Sequence, residues 1–123
     1  MRLTLGIVMT TVSVSAQAAR DSASLTAVTT IDATITAAAV VDPPATIGGA
    51  TVSVSFCPVQ GVARPSSDSE IKFEVWLPPT AAGWSKRLKV NGTGGYNGAI
   101  PYARLAQDVD DGLVSAGRNM GHD

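Results

Sequence analysis

Gly92, Gly94, Gly95 and Gly98 fall within the stretch RLKVNGTGGYNGAIPYARLA, residues 87 to 106, between a strand pattern and a helix pattern. Glycine turns in that position aim backbone N–H groups at an anion, either a bound phosphate or the oxyanion of a reaction intermediate. Spacing argues against phosphate. A dinucleotide fingerprint opening on Gly92 and Gly94 needs its third glycine at position 97, which is Asn97, and Gly98 comes one residue late. No Gly-Lys pair follows to make a nucleotide P-loop. An oxyanion role, a saccharide contact and a purely structural turn remain.

Other chemistry is sparse. Nucleophilic catalysis needs a base beside Ser, Cys or Thr, and the single histidine, His122, is one residue from the end. No Gly-x-Ser-x-Gly elbow occurs. Asp108, Asp110 and Asp111 read as a solvated acidic helix end. One Cys and one His are too few soft ligands for zinc, and no cofactor or metal is expected. Asn91-Gly92-Thr93 fits the N-glycosylation pattern, but a glycan there would defeat a turn built to approach a substrate.

A chain of 123 residues allows one small domain or a piece of a larger one. Nine basic residues stand against ten acidic ones without a basic cluster, so no nucleic-acid partner is expected. Residues 1–18 read as a secretory signal peptide: Arg2, an apolar run from Leu3 to Val14, then Ala16-Gln17-Ala18 as the cleavage site. After its removal no apolar stretch of membrane length remains, which predicts a soluble chain, secreted or periplasmic, with no membrane partner. Cys57 is then an odd cysteine in an oxidising compartment: a buried structural thiol, or one whose partner lies elsewhere.

The positioning elements follow from periodicity. A short helix near Ser24 to Thr30 and an extended stretch near Thr34 to Val41 come first. Thr51 to Phe56 alternates, with Val52, Val54 and Phe56 on one face. Glu70 to Leu77 alternates too, with Ile71, Phe73, Val75 and Leu77 on the dry face and mostly charged residues opposite. The two are expected to pair as an antiparallel hairpin across the loop Gly61 to Ser69. Lys86 to Val90 is a third strand leading into the glycine turn. Ala99 to Asp111 is a helix with Tyr102, Leu105, Ala106 and Val109 as its apolar stripe, and Leu113 to Ala116 is the next buried strand. Strand, glycine turn, helix, strand is the opening unit of an α/β sheet, whose ligands sit at the carboxyl ends of strands.

Several linked motifs carry a family resemblance: Phe73-Glu74-Val75-Trp76-Leu77-Pro78, Trp84 with Arg87, Gly92-Thr93-Gly94-Gly95-Tyr96-Asn97-Gly98-Ala99-Ile100-Pro101-Tyr102, Gly112, and Gly121-His122. Their order and spacing resemble the N-terminal quarter of the tannase and feruloyl esterase family, from about Cys57 onward. The resemblance implies that residues 19–123 are the N-terminal portion of an α/β-hydrolase catalytic domain. It implies a serine esterase acting on small esters of aromatic acids such as gallate or ferulate. The family's Ser, Asp and His lie downstream and are not in this chain. The glycine loop is its oxyanion-hole contribution, with Gly94 and Gly95 as donors and Gly92 third.

Three departures accompany the resemblance. Trp84-Ser85-Lys86-Arg87 stands where the family has Trp-Asn-Gly-Arg or Trp-Asn-Gly-Lys, and Asn119 stands where it has Asp. Ser22-Ala23-Ser24-Leu25 stands where the family has a cysteine that pairs with the one at Cys57. Without the triad and with an unpaired sheet edge, the stretch alone is expected to be poorly folded and inactive. The competing reading is a small secreted β-rich module binding carbohydrate or phenolics, with Trp76, Trp84, Tyr96 and Tyr102 as an aromatic platform.

Overall fold

A computed structural model describes residues 21–121. The signal-peptide reading of residues 1–18 and His122 lie outside the described residues.

Five strands form one sheet in the order β1-β4-β5-β7-β6. They are β1 (Ala33–Ala38), β4 (Cys57–Ala63), β5 (Ile71–Leu77), β6 (Leu88–Asn91) and β7 (Val114–Arg118). A separate hairpin joins β2 (Ala45–Ile47) to β3 (Ala50–Val52), and the α-helix α1 spans Tyr102–Asp110. Ladders from β1 through β4 and β5 to β7 are antiparallel, whereas β6 runs parallel to β7. Parallel neighbours need a crossover, and α1 supplies it. The expected strand, glycine turn, helix, strand unit is therefore β6, residues 92–101, α1 and β7.

The expected hairpin is shifted. β5 pairs with β4, Cys57 opposite Leu77 through Ala63 opposite Ile71, not with Thr51 to Phe56. Part of the expected loop is therefore strand. Pro58 and Gly61 hide β4 in the sequence, since both are unfavourable inside strands. Two local facts admit them. Pairing with β1 ends at Val59, so the N–H that Pro58 lacks is not needed on that side. Gly61 lies opposite Phe73, where an added Cβ would come within 2.3 Å of ring carbon Cζ. The alternation from Thr51 to Phe56 is broken as well: Val52 and Phe56 are fully buried, but Val54 is exposed between them.

The faces of β5 also differ from expectation. Ile71, Phe73, Val75 and Leu77 are half-buried, while Glu74 and Trp76 on the supposed wet face are buried. α1 packs on that side. Trp76 stands between Phe56 and Tyr102, with ring centroids 4.5 and 6.2 Å away. Val52, Leu105, Ala106 and Val109 complete the cluster. The β2–β3 turn reaches the same core through Gly48, whose missing Cβ leaves room for the ring of Tyr102, 2.1 Å from where that atom would be.

The helical stripe of Tyr102, Leu105, Ala106 and Val109 is as the sequence predicts. Gly112, at φ +77°, ends α1 in a Schellman motif: its N–H donates to the Val109 carbonyl and that of Leu113 to the Asp108 carbonyl. On the opposite sheet face a 3-10 turn, Ser22–Ala27, brings Leu25 against Cys57, Ala38 and Val59. Cys57 is buried there as a free thiol.

Candidate functional site

The glycine loop leaves the carboxyl end of β6, the position where α/β sheets place ligands. Its own bonds are few. Asn97 N–H reaches the Gly94 carbonyl at 3.4 Å, and Asn97 Oδ1 accepts from Ala99 N–H at 3.0 Å. A Cβ added at Gly92, Gly94 or Gly95 would meet nothing within 4 Å. Of these three only Gly95, at φ +60°, has a backbone that requires glycine. A structural turn thus accounts for Gly95 and leaves Gly92 and Gly94 unexplained by anything among the described residues. Within the loop, the Thr93 hydroxyl oxygen is buried without a hydrogen-bond partner among the described residues.

Beneath the loop lies a polar cluster that the sequence reading missed. Asp108 is 4 % exposed. Its Oδ1 accepts from Lys89 Nζ at 2.7 Å, and its Oδ2 accepts from Asn91 Nδ2 at 2.7 Å and Ser115 Oγ at 2.8 Å. Asn91 Nδ2 also donates to Ser115 Oγ at 2.9 Å. Burial pushes the Asp108 carboxyl up, but the three donors and the Lys89 charge outweigh it and hold the group below the usual carboxylate range. The solvated-end reading therefore holds for Asp110 and Asp111, which are exposed, and fails for Asp108. Two signals in the sequence point to the cluster. Pro101, Leu105 and Asp108 share a helical face, and Lys89 and Asn91 share one face of a strand.

Asn91 Nδ2 is the atom a glycan would occupy, and it is committed inside this cluster. The Asn91-Gly92-Thr93 pattern is accordingly no glycosylation site in this fold.

A second buried carboxylate, Glu74, accepts from Tyr102 OH at 2.9 Å, Trp76 Nε1 at 2.6 Å and Gln60 Nε2 at 3.2 Å. Burial, then the bond to Glu74 and its charge, pushes the Tyr102 hydroxyl up to about 12. It therefore remains a donor at neutral pH. Asn119, buried at the end of β7, fixes the strand ends: its Oδ1 accepts from Lys72 N–H at 2.9 Å and Gly121 N–H at 3.1 Å. An amide supplies the oxygen that an aspartate would supply there. Lys86, where the resemblance leads one to expect glycine, adopts φ +62°, the left-handed region that glycine favours.

The four aromatics of the binding-module reading do not share a surface. Trp76 is core, Tyr102 packs on it, Tyr96 is 98 % exposed beyond the carboxyl end of β6, and Trp84 precedes the strand's other end. Among the described residues, no group of three His, Cys, Asp or Glu side chains is placed to hold a metal ion. No helix among them is long and apolar enough to cross a membrane.

An antiparallel lead-in, a parallel β-loop-α-β unit and a glycine loop at the strand's carboxyl end define the N-terminal part of an α/β-hydrolase fold. The crystal structure of feruloyl esterase B from Aspergillus oryzae superposes on it with a TM-score of 0.72 at 25% identity, over 82% of this chain and 21% of that one. Residues 57–123 match the tannase and feruloyl esterase family, and the chain belongs to it. An uncharacterised esterase of Xanthomonas campestris pv. campestris is 40% identical over 120 residues, 96% of this chain and 20% of that protein. The probable feruloyl esterase B-1 of Aspergillus fumigatus is 35% identical over 86 residues, 68% of this chain and 16% of its own length. The chain thus spans about a fifth or less of the curated relatives it matches.

Proposed function

We propose that residues 19–123 are the N-terminal portion of the catalytic domain of a serine carboxylic ester hydrolase acting on small aromatic-acid esters, and that they supply its oxyanion loop. Backbone N–H groups of Gly94 and Gly95, with Gly92 third, meet the charge that develops on the ester carbonyl oxygen as the nucleophile attacks. Such donors act on the transition state more than on the ground state, and loss of one costs about 3 kcal/mol in a serine hydrolase of unrelated fold that uses the same device. The nucleophilic serine, its base and its acid are supplied by residues outside this stretch, which alone is inactive. The leader, residues 1–18, sends the protein to the periplasm or the medium.

One observation carries this reading: Gly92 and Gly94 lack side chains although neither their backbone nor any described neighbour demands it. We read the space as kept for a group that the described residues do not provide. Relatives named as feruloyl esterases support the choice of an aromatic ester as that group.

The test is hydrolysis of methyl ferulate and methyl gallate by the full-length protein, before and after a fluorophosphonate that esterifies activated serines. Turnover that disappears in step with labelling of one serine is the expected result. Turnover that survives complete labelling would remove the serine mechanism. Retention on insoluble polysaccharide without hydrolysis would replace the enzyme by a binding module.

A further inference from the structure

We infer that Asp108 is a positioning residue for the glycine loop, acting through Asn91 and Lys89 on the strand that carries it; this rests on the oxyanion-loop reading above.

Among the described residues β6 has one ladder neighbour, β7. The face toward α1 carries Lys89 and Asn91, and both donate to Asp108. The attachment of β6 to the helix is therefore polar and converges on one carboxylate. Ser115 of β7 donates to the same carboxylate, so one group joins all three elements of the β-loop-α-β unit.

Asn91 is the last residue of β6 and the immediate predecessor of Gly92. Among the described residues the loop has few hydrogen bonds of its own, and both its ends are held. Asn91 with Asp108 fixes one, and Ile100, packed on the core, fixes the other. Stability alone does not call for a carboxylate here. A buried charge is costly to desolvate, and well-packed apolar groups commonly serve as well or better, whereas a polar cluster selects one arrangement of its parts. Three donors converging on two oxygens demand a group that only accepts. An amide would turn a donor toward either Lys89 or the Asn91–Ser115 pair.

The experiment compares Asp108→Asn, Ser115→Ala and Gly94→Ala, singly and combined, in the full-length protein, with thermal unfolding to establish that each variant is folded. Asp108→Asn is expected to lower kcat for methyl ferulate at least tenfold with KM within twofold. In the Gly94→Ala background it should add less than threefold, because both changes disturb the same donors. Ser115→Ala, which removes one donor and leaves the carboxylate, is expected to lower kcat less and keeps the test available should Asp108→Asn not fold. A folded Asp108→Asn with kcat within twofold of wild type would overturn the inference, as would losses that multiply in full with those of Gly94→Ala. If Asp108→Asn does not fold, a Ser115→Ala kcat equal to wild type would overturn it. A wild-type enzyme that does not hydrolyse the ester, or one indifferent to Gly94→Ala, removes the oxyanion-loop reading itself and this inference with it.

Discussion

Alanine at Gly92, Gly94 and Gly95 separates what the turn requires from what a substrate requires. At Gly95 the left-handed backbone, φ +60°, costs an L-residue about 1–2 kcal/mol. Part of that is offset because alanine has less freedom to lose on folding, leaving a net loss of about 1 kcal/mol. At Gly92 and Gly94 neither term applies: the backbone is not left-handed, and the added methyl meets nothing within 4 Å. Those variants should be as stable as wild type, or more stable by about 0.4–1 kcal/mol. If a carbonyl oxygen must approach the Gly94 amide, the same methyl obstructs it, and kcat should fall on the order of 100-fold, comparable to removing one oxyanion donor. Urea unfolding and steady-state hydrolysis of methyl ferulate by the full-length protein measure the two quantities side by side. A Gly94→Ala protein with unchanged stability and unchanged kcat would refute the reasoning.

Lys86→Gly should raise stability by about 0.5–1 kcal/mol, because it relieves the left-handed strain at an exposed position; urea midpoints check it. Tyr102→Phe should cost about 2 kcal/mol by removing a donor from the buried Glu74 carboxylate. Because the Tyr102 hydroxyl is raised from 10.0 to about 12, its contribution is complete below pH 10 and fades as pH rises through 12. The thermal midpoints of wild type and Tyr102→Phe should therefore converge over that interval and stay apart below it. Gly61→Ala should cost roughly 1–3 kcal/mol through its clash with the Phe73 ring, and Phe73→Leu in the same chain should recover part of that loss in urea unfolding.

The parts of the fold that were legible in the sequence are those where local pattern and tertiary role agree. The extent of β5, though not its faces, the run from β6 to β7, and the stripe on α1 combine periodicity with turn residues at their ends. β4 was illegible because Pro58 and Gly61 violate strand preference, and what admits them, the end of the β1 ladder and the Phe73 ring, is contributed by other strands. Glu74 and Asp108 misled for one shared reason. A carboxylate is read as solvated by its type, yet each is buried under donors that, Trp76 apart, come from other elements 7 to 28 residues away in sequence. The glycine loop itself was found by composition. What it leans on, Asn91 and Asp108, could be found only by asking which face each polar residue shares.

Cys57 offers a use unrelated to chemistry at the loop. The thiol is 3 % exposed and lies under the short turn that contributes Leu25. A reagent can alkylate it only when that cover lifts, so the rate of modification, read by mass spectrometry of the peptide carrying Cys57, measures how often this corner opens. With reclosing fast relative to alkylation, the ratio to the rate of a free thiol gives the opening equilibrium directly. The chain thereby carries its own reporter of local breathing on the sheet face opposite α1, at a distance from the loop, and no label need be introduced.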